Sequence, residues 1–154
     1  MTVAAAADLL GNGAKSLAYG TRQGGVWFYP HPTDTQKRWY RRFGDRVDLL
    51  AVVHGPGARL LVVAGGETQW ITALDPTGAR AWAVYLDAAV AAMAASPTQD
   101  RLFVAGVDRT VHELDAAGRQ GRRLTLPGTP VTMATGPTAG VIVGTREGSV
   151  FLVQ

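Results

Sequence analysis

The residues with the most chemical capacity in this sequence are three histidines, a set of carboxylates and a run of interleaved cations and aromatics. The histidines, His31, His54 and His112, stand far apart, and no two have the His-x-x-x-His spacing with which one helix face holds a metal ion. Cysteine is absent, so the sequence offers no thiolate ligand and no disulfide. These residues predict no metal site and no bound cofactor.

Catalytic carboxylates are the next possibility. Asp48 and Asp87 fall beside apolar segments that we expect to converge, and two such carboxylates are the acid and base of a glycoside hydrolase. The neighbouring residues are Ala, Val, Leu and Met, without an aromatic platform for a sugar. Ser16, Ser96 and Ser149 lie in no Gly-x-Ser-x-Gly turn, and the glycine-rich runs lack the Lys-Ser/Thr pair of a phosphate loop. The sequence therefore indicates that the chain is not an enzyme.

Cations and aromatics are interleaved over residues 37–43, a composition that contacts phosphates and stacks on bases. In a strand, alternate side chains face opposite ways, so Arg38, Tyr40 and Arg42 share one side. Trp39 then faces the other side, where we expect it to pack between sheets. Nucleic-acid binding through Arg38 to Arg42 is accordingly the weaker interpretation of this run.

A chain of 154 residues with 47% hydrophobic side chains is long enough for one domain with a buried core. The net charge is +3 and is concentrated in the first quarter, where seven of the 15 Lys and Arg residues occur by Arg46. The apolar N-terminal run has no basic segment before it and is broken by Asp8 and Gly11, so we expect neither a signal peptide nor a membrane helix. Together with the lack of cysteine, this predicts a cytoplasmic protein.

Turns recur at regular intervals along the chain. A phrase of apolar residues followed by a small residue and glycine occurs four times, and its glycines, Gly20, Gly65, Gly106 and Gly144, are spaced by 45, 41 and 38 residues. The Gly, Asp and Pro turns between these phrases leave no room for helices. Periods of this length are typical of four-stranded repeats. The sequence therefore predicts an all-β fold of antiparallel meanders.

Each repeat is predicted to contain an inner strand a, a strand b that ends near the marker glycine, a third strand c and an outer strand d. Inner strands are rich in small residues because several sheets converge near one axis, and they are predicted at 3–7, 47–53, 90–95 and 131–135. Third strands are predicted at 26–29, 70–74, 110–114 and 150–153. Outer strands are predicted at 38–43, 82–86 and 122–126, and the fourth repeat stops where its outer strand would begin.

A turn motif recurs in the second and third repeats. Residues 73–82 read Ala-x-Asp-x-Thr-Gly-x-x-x-Trp, which resembles the tryptophan-docking motif of quinoprotein-like β-propellers, one residue short. Residues 113–118 are a degenerate copy, with Arg122 near the place of the tryptophan, and the Leu-Asp pairs at 74–75 and 114–115 stand where WD40-like repeats have Trp-Asp. The chain thus resembles β-propeller repeat proteins between these two families. The resemblance implies one domain over residues 1–154, with blades at approximately 3–45, 46–87, 88–127 and 128–154.

Counted in this way, the chain holds three full blades and a three-stranded remnant, about three and a half blades. An open arc exposes the apolar flanks of its first and last sheets, and patches of that kind mark interaction surfaces. We therefore predict that a second copy, forming a homodimer, or a propeller-bearing partner chain completes a ring of about seven or eight blades. The alternatives are four blades that close on themselves and a chain that is part of a longer protein.

In a propeller, the turns from strand b to c and from d to a gather on one face. Here they supply charges of both signs, which suit a protein partner better than a polyanion. The candidate partner-binding residues are Arg22, Arg42, Asp45, Arg46, Glu67, Asp87, Asp108, Arg109, Arg146 and Glu147. We therefore predict a non-enzymatic protein-interaction scaffold. A small-ligand or carbohydrate-binding or -processing propeller, with a pocket formed on assembly, is the alternative; nucleic-acid binding is the weaker one.

Overall fold

The computed structural model of the chain describes residues 3–33, 35–36, 38–136 and 140–154. These residues form four antiparallel sheets, here called blades 1 to 4, in which each strand pairs with its neighbours in sequence. Lys37, which belongs to the basic and aromatic run, lies outside the described residues.

The described residues contain 15 strands. Blade 1 consists of β1 (Val3–Ala7), β2 (Ser16–Gly20), β3 (Gly25–Tyr29) and β4 (Trp39–Arg42). Blade 2 consists of β5 (Leu49–His54), β6 (Leu60–Gly65), β7 (Trp70–Leu74) and β8 (Arg80–Tyr85), with one 3-10 turn at Pro56–Ala58. Blade 3 consists of β9 (Val90–Ala95), β10 (Arg101–Gly106), β11 (Thr110–Asp115) and β12 (Gln120–Thr125). Blade 4 consists of β13 (Pro130–Thr135), β14 (Val141–Thr145) and β15 (Val150–Val153). The predicted series of three four-stranded sheets and one three-stranded sheet is confirmed.

Three strands, β5, β8 and β12, begin two residues away from their predicted starts. Strand β8 begins at Arg80, two residues earlier than expected, because Leu74 pairs with Arg80 directly across the turn. Strand β5 begins at Leu49, two residues later than expected. The amide of Val47 instead donates to the Thr21 carbonyl of blade 1, at 3.0 Å. This hydrogen bond to the preceding sheet takes the Val47 amide out of the β5 ladder, so the strand starts later than predicted.

Three hydrophobic cores hold the arc together, one between each pair of consecutive blades. Alternate residues of a strand serve different cores: in β6, Val62 and Ala64 pack toward blade 1, whereas Leu61 and Val63 pack toward blade 3. Burial of each large aliphatic side chain stabilises the fold by about 1.5–3 kcal/mol. Within the described ranges, no core joins blade 4 to blade 1, so the four blades form an open arc.

Two tryptophans connect the outer strand of one blade to the next blade. The Trp39 indole Nε1 donates to the Pro76 carbonyl at 2.9 Å, and the Trp82 Nε1 donates to the Ala116 carbonyl at 3.0 Å. At the third junction, the Arg122 guanidinium donates to the Gln154 carbonyl. The predicted packing of Trp39 between sheets is observed, and the docking motif operates across two of the three junctions.

A glycine lies under each of these indoles. Gly118 has φ +79, and a Cβ at this position would lie 2.6 Å from the Trp82 ring. Gly78 has φ +82, and a Cβ there would lie 2.8 Å from the Trp39 ring. Glycine is required twice over at these turns, because the backbone is left-handed and because the indole leaves no room for a side chain.

An aspartate holds each of the turns that carry these glycines. Asp75 Oδ1 accepts hydrogen bonds from the Thr77 amide at 2.8 Å and from the Ala79 amide at 3.0 Å. Burial opposes the charged form of this carboxyl, but the hydrogen bonds from Thr77 and Ala79 outweigh it and lower the pKa of Asp75. Asp115 is held in the same way by the amides of residues 117 and 119. The aspartate of the Asp-x-x-Gly motif therefore fixes the conformation of the turn.

His112 is enclosed in strand β11 with 1% of its surface exposed. Neither ring nitrogen has a hydrogen-bond partner in the described structure. Burial lowers the pKa of His112, and the nearby Arg123 guanidinium acts in the same direction, whereas Asp108 and Asp87 act against them. The imidazole is therefore held in its neutral form between blades 2 and 3.

The indole contact predicts different costs for two glycine substitutions. Gly118→Ala should lower the free energy of unfolding by about 1–2 kcal/mol for the left-handed backbone and by about 1–3 kcal/mol more for displacing Trp82. Gly148 has φ +83 with nothing within 4 Å of its Cβ position, so Gly148→Ala should show only the backbone cost. Urea denaturation of both variants checks this, and equal losses would contradict the docking contact.

The buried imidazole predicts a loss of stability on mild acidification. Because the pKa of His112 is lower in the folded state than the unfolded value of about 6.5, the unfolded chain binds the proton first as the pH falls. This contribution to stability is complete above about pH 6.5 and is lost progressively below it. His112→Thr, which introduces the residue that occupies the matching position in blade 2, should flatten the slope of unfolding free energy against pH in this window. An unchanged slope would show that His112 is not the responsible group.

Candidate protein-interaction surfaces

The turns that precede the inner strands lie beside the turns that join strands b and c. Backbone hydrogen bonds connect them: the Leu86 amide donates to the Gln69 carbonyl at 2.7 Å, and the Leu126 amide donates to the Arg109 carbonyl at 2.8 Å. The Val47 bond described above is the counterpart in blade 1. Both sets of turns therefore form one surface, here called the turn face.

All ten predicted partner-binding residues are located on the turn face or at its edge. Arg42 ends strand β4, and the other nine lie in the turns. Two of the acidic side chains accept hydrogen bonds from turn amides: Asp108 Oδ1 accepts the Thr110 amide of its own turn at 3.1 Å, and Glu147 Oε2 accepts the Thr129 amide of the turn before β13 at 2.8 Å. Hydrogen bonds from backbone amides lower the pKa of Glu147. Both carboxylates therefore stabilise the turns by accepting hydrogen bonds from their backbone amides.

Other predicted partner-binding residues form ion pairs. Arg46 lies 3.1 Å from Asp48 and 2.7 Å from Glu67, and Asp87 lies 3.4 Å from Arg123. Five predicted residues have no hydrogen bond or ion pair through their side chains in the described structure: Arg22, Arg42, Asp45, Arg109 and Arg146. The available charge on the turn face is therefore mostly positive, which the sequence alone does not reveal.

The basic and aromatic run divides between two sides, as predicted. Trp39 is buried and stacks on Phe28, with ring centroids 5.1 Å apart. Arg41 Nε donates to the Gly78 carbonyl of blade 2 at 2.5 Å. Tyr40 and Arg42 face the other way and are exposed. Trp39 and Arg41 therefore make contacts between blades 1 and 2.

The other candidate residues are dispersed. Asp48 and Asp87 each have an arginine partner, in separate ion pairs. Ser16 and Ser96 are buried. Among the residues that the structure describes, no group of three or more His, Asp or Glu side chains is placed to hold a metal ion. The same residues contain no helix long and apolar enough to cross a membrane.

The two ends of the arc each present an apolar sheet face whose residues the sequence analysis did not name. In blade 4, Ile142, Val150 and Leu152 are 37%, 70% and 53% exposed and point away from the core shared with blade 3. Ile142 and Leu152 lie opposite each other in the sheet. These three residues are the aliphatic end face. The sequence does contain a signal for this face, because consecutive residues of β14 and β15 are apolar and both sides of the sheet are therefore apolar.

Blade 1 presents an aromatic counterpart at the other end of the arc. The Tyr19 ring lies 6.0 Å from Trp27 and 5.9 Å from Tyr29, and Trp27 lies 4.6 Å from Tyr40. Burial, followed by the contact with Tyr29, raises the pKa of Tyr19, so its hydroxyl stays protonated. These four residues are the aromatic end face, which points away from the core that blade 1 shares with blade 2.

Comparison with known proteins identifies the fold. No protein-family model and no curated protein sequence matches the chain. The chain is similar to BBS1N in the crystal structure of its complex with ARL6DN, with TM-score 0.76 and 15% identity over 99% of this chain and 49% of BBS1N. It is also similar to a chain of the mitotic checkpoint complex, with TM-score 0.73 and 16% identity over 89% of this chain and 44% of that chain.

The WD40 repeats of RRP9 are a further similar structure, with TM-score 0.73 and 10% identity over 89% of this chain and 47% of that chain. This chain spans about half the length of the solved structures it matches. Identities this low establish shared architecture alone. The described residues therefore have the β-propeller fold, with four blades arranged as an open arc.

Proposed function

We propose that this protein is a non-enzymatic interaction scaffold in which two copies of the chain join their end faces to complete a propeller ring. The observation that carries the proposal is an apolar face at each end of the arc, the aliphatic end face being exposed and the aromatic end face half-buried. Two of the similar structures are chains of protein complexes, which supports a role in protein interaction. The absence of cysteine supports a cytoplasmic location.

The aliphatic end face resembles a blade junction that lacks its second half. By strand register, Val150 and Leu152 occupy the places of Ile71 and Ala73 in blade 2, which are both 0% exposed beneath blade 3. Leaving large aliphatic side chains in water forgoes the free energy that their burial would contribute. A further blade placed on this face would recover it.

Blade 1 of a second copy is suited to cover the aliphatic end face with its aromatic end face. Aromatic rings bury large areas at modest conformational cost, and tyrosine hydroxyls reach water at the edge of a contact. In blade 2 the positions of Tyr19 and Tyr40 are occupied by Ala64 and Ala83, which lie at an internal junction. Blade 1 thus presents large aromatic residues and blade 4 presents aliphatic residues, so the two ends of the arc are unlike and complementary surfaces.

Two arcs placed head to tail satisfy both ends at once. A two-fold axis brings blade 4 of each copy against blade 1 of the other, and a heterologous contact that closes in this way gives a finite ring. Each chain spans about half of a similar propeller, so two chains supply about one ring of blades. Eight blades are within the range of about four to eight that propellers use.

The native mass in solution tests this assembly. At micromolar concentration, light scattering should give about twice the chain mass of 16.2 kDa. Val150→Asp should convert the dimer to a monomer, because it places a charge in the aliphatic end face. Val107→Asp is the matched control, since Val107 is 54% exposed in a turn of blade 3, and this variant should remain dimeric.

A well-folded wild-type monomer at this concentration would contradict assembly from two copies. Equal dissociation of both variants would also contradict it, because a general charge effect would then explain the result. A wild-type monomer that forms a stable complex with another propeller-bearing chain through the same two faces would replace the second copy by that partner.

A further inference from the structure

A cleft of about 640 Å³ opens between blade 1 and blade 2. Its blade 2 wall is the side of β7 and β8 that faces blade 1, because Leu74 and Ala64 on that side belong to the core shared with blade 1. Phe43 lines the cleft from blade 1 and packs against the same core. The volume is in the range of about 300–1,000 Å³ typical of ligand sites.

The strand register gives the order of the side chains along the blade 2 wall. Three cross-strand pairs follow one another from the turn face to the opposite end: Trp70 with Tyr85, Thr72 with Ala83, and Leu74 with Arg80. Alternate residues of a strand face the same way, so Trp70 and Thr72 lie on the side that Leu74 shares with blade 1. The wall therefore has two aromatic rings at one end, small side chains in the middle and a guanidinium group at the other end.

The first two of these pairs differ from those of the neighbouring blades. The pairs that match the aromatic one are Gly25 with Arg42 in blade 1 and Thr110 with Thr125 in blade 3. The pairs that match the small one are Trp27 with Tyr40 in blade 1 and His112 with Arg123 in blade 3. Blade 2 thus has aromatic rings where its neighbours have none, and small side chains where they have large ones. The space left by the small pair is the cleft.

The aromatic pair is accessible from the solvent. Trp70 is 52% exposed and Tyr85 is 48% exposed, although the two rings meet edge to face with centroids 5.3 Å apart. The Tyr85 hydroxyl donates to Gln69 Oε1 at 2.5 Å, which fixes the position of that ring. Blades 1 and 3 form the same ladder without an aromatic residue at the place of Trp70, so the blade does not need this indole for its packing. Trp70 can therefore serve a ligand.

The opposite end of the cleft presents one cation. Arg80 lies on the cleft side because it pairs with Leu74, and it forms no hydrogen bond or ion pair with any described residue. Arg41 of blade 1 is held by the Gly78 carbonyl, and Asp45 lies on the lining near the turn face. One carboxylate at the Arg80 end therefore matches the charges of the cleft, and a second one near Asp45 does not.

The strand also gives the distance between the aromatic end and the cationic end. Trp70 and Leu74 are four residues apart in β7, which corresponds to about 13 Å at about 3.3 Å per residue. An extended peptide covers the same distance in four residues. A nucleic acid fits less well, because the cleft has one unpartnered guanidinium group among the described residues and Asp45 lies on its lining.

We propose that this cleft binds an extended peptide of a partner protein, with an aromatic or large aliphatic side chain against Trp70 and a single carboxylate four residues away at Arg80. Aromatic residues and arginine are the side chains that most often dominate the energy of a protein interface. The inference extends the scaffold role, but the cleft lies between two blades of one chain and does not require ring closure.

Binding of a defined peptide tests the proposal. The probe is a fluorescently labelled peptide of serine and threonine that contains one phenylalanine and, four residues later, one aspartate. It should bind the full chain, about tenfold more weakly when serine replaces the phenylalanine and about threefold more weakly when asparagine replaces the aspartate. In NMR spectra the indole N–H signal of Trp70 should shift, whereas those of Trp39 and Trp82, which donate to carbonyls between the blades, should not.

Three variants locate the site. Trp70→Ala should weaken binding by about tenfold, whereas Val107→Ala, which shortens a similarly exposed apolar side chain outside the cleft, should not. Arg80→Gln should remove the preference for aspartate over asparagine. Thr72→Phe should block the middle of the cleft, and it is expected to fold because Phe151 occupies the matching place in blade 4. A thermal melt of each variant verifies folding.

Several results would overturn the proposal. They are failure of the probe to bind, unchanged affinity in Trp70→Ala and Thr72→Phe, equal loss in Val107→Ala, and a preference for aspartate that survives in Arg80→Gln. Tighter binding of oligouridylate than of the peptide would also overturn it, since the cleft would then be a nucleic-acid site. Val150→Asp should bind the probe as the wild type does, so this test and the test of ring closure fail independently. Loss of binding in that variant would contradict a site within a single chain.

Discussion

The packing of one sheet face on the next is the constraint on which this fold depends. Each internal sheet has apolar residues on both faces, as the alternation of Leu61, Val62, Val63 and Ala64 in β6 shows. A sheet of this kind is stable only when both faces are covered. Every internal blade is therefore held by its neighbours, and the two terminal blades each have one face without a described cover.

The tryptophan contacts fix how consecutive blades sit against each other. Each indole joins an outer strand to the following turn, and the turn has the Asp-x-x-Gly geometry that receives it. At the third junction, Arg122 makes a polar contact with Gln154 in place of the indole. The junctions consequently differ in their outer parts: the first contains an open cleft of about 640 Å³ beside Thr72 and Ala83, and the second contains the buried His112.

Much of the fold follows from local patterns in the sequence. The glycine spacing and the alternation of apolar residues predicted the four sheets, and the position of Trp39 opposite Arg38 and Tyr40 predicted that it packs between blades. These features depend on periodicity along a single strand or turn. The start of β5 was misplaced because a hydrogen bond from another sheet, between Val47 and Thr21, determines it.

The candidate sites were less accessible from the sequence because they depend on contacts between blades. The turn-face residues remain predicted partner contacts, and the engagement of Glu67, Asp108 and Glu147 by their neighbours could not be foreseen. The cleft depends on the pairing of Thr72 with Ala83, whose registers only the folded sheet shows. The burial of His112 is the opposite outcome at the same position of the next blade.

Cross-linking between the two end faces tests the central claim most directly. The chain has no native cysteine, so Leu17→Cys on the aromatic side of blade 1 and Leu152→Cys on blade 4 can be made in separate chains. A short bis-maleimide added to a mixture of the two variants should yield a cross-linked product of one chain of each kind, with little product from either variant alone. Failure to cross-link in the mixture, or equal cross-linking of each variant with itself, would contradict the closure of two arcs through unlike faces.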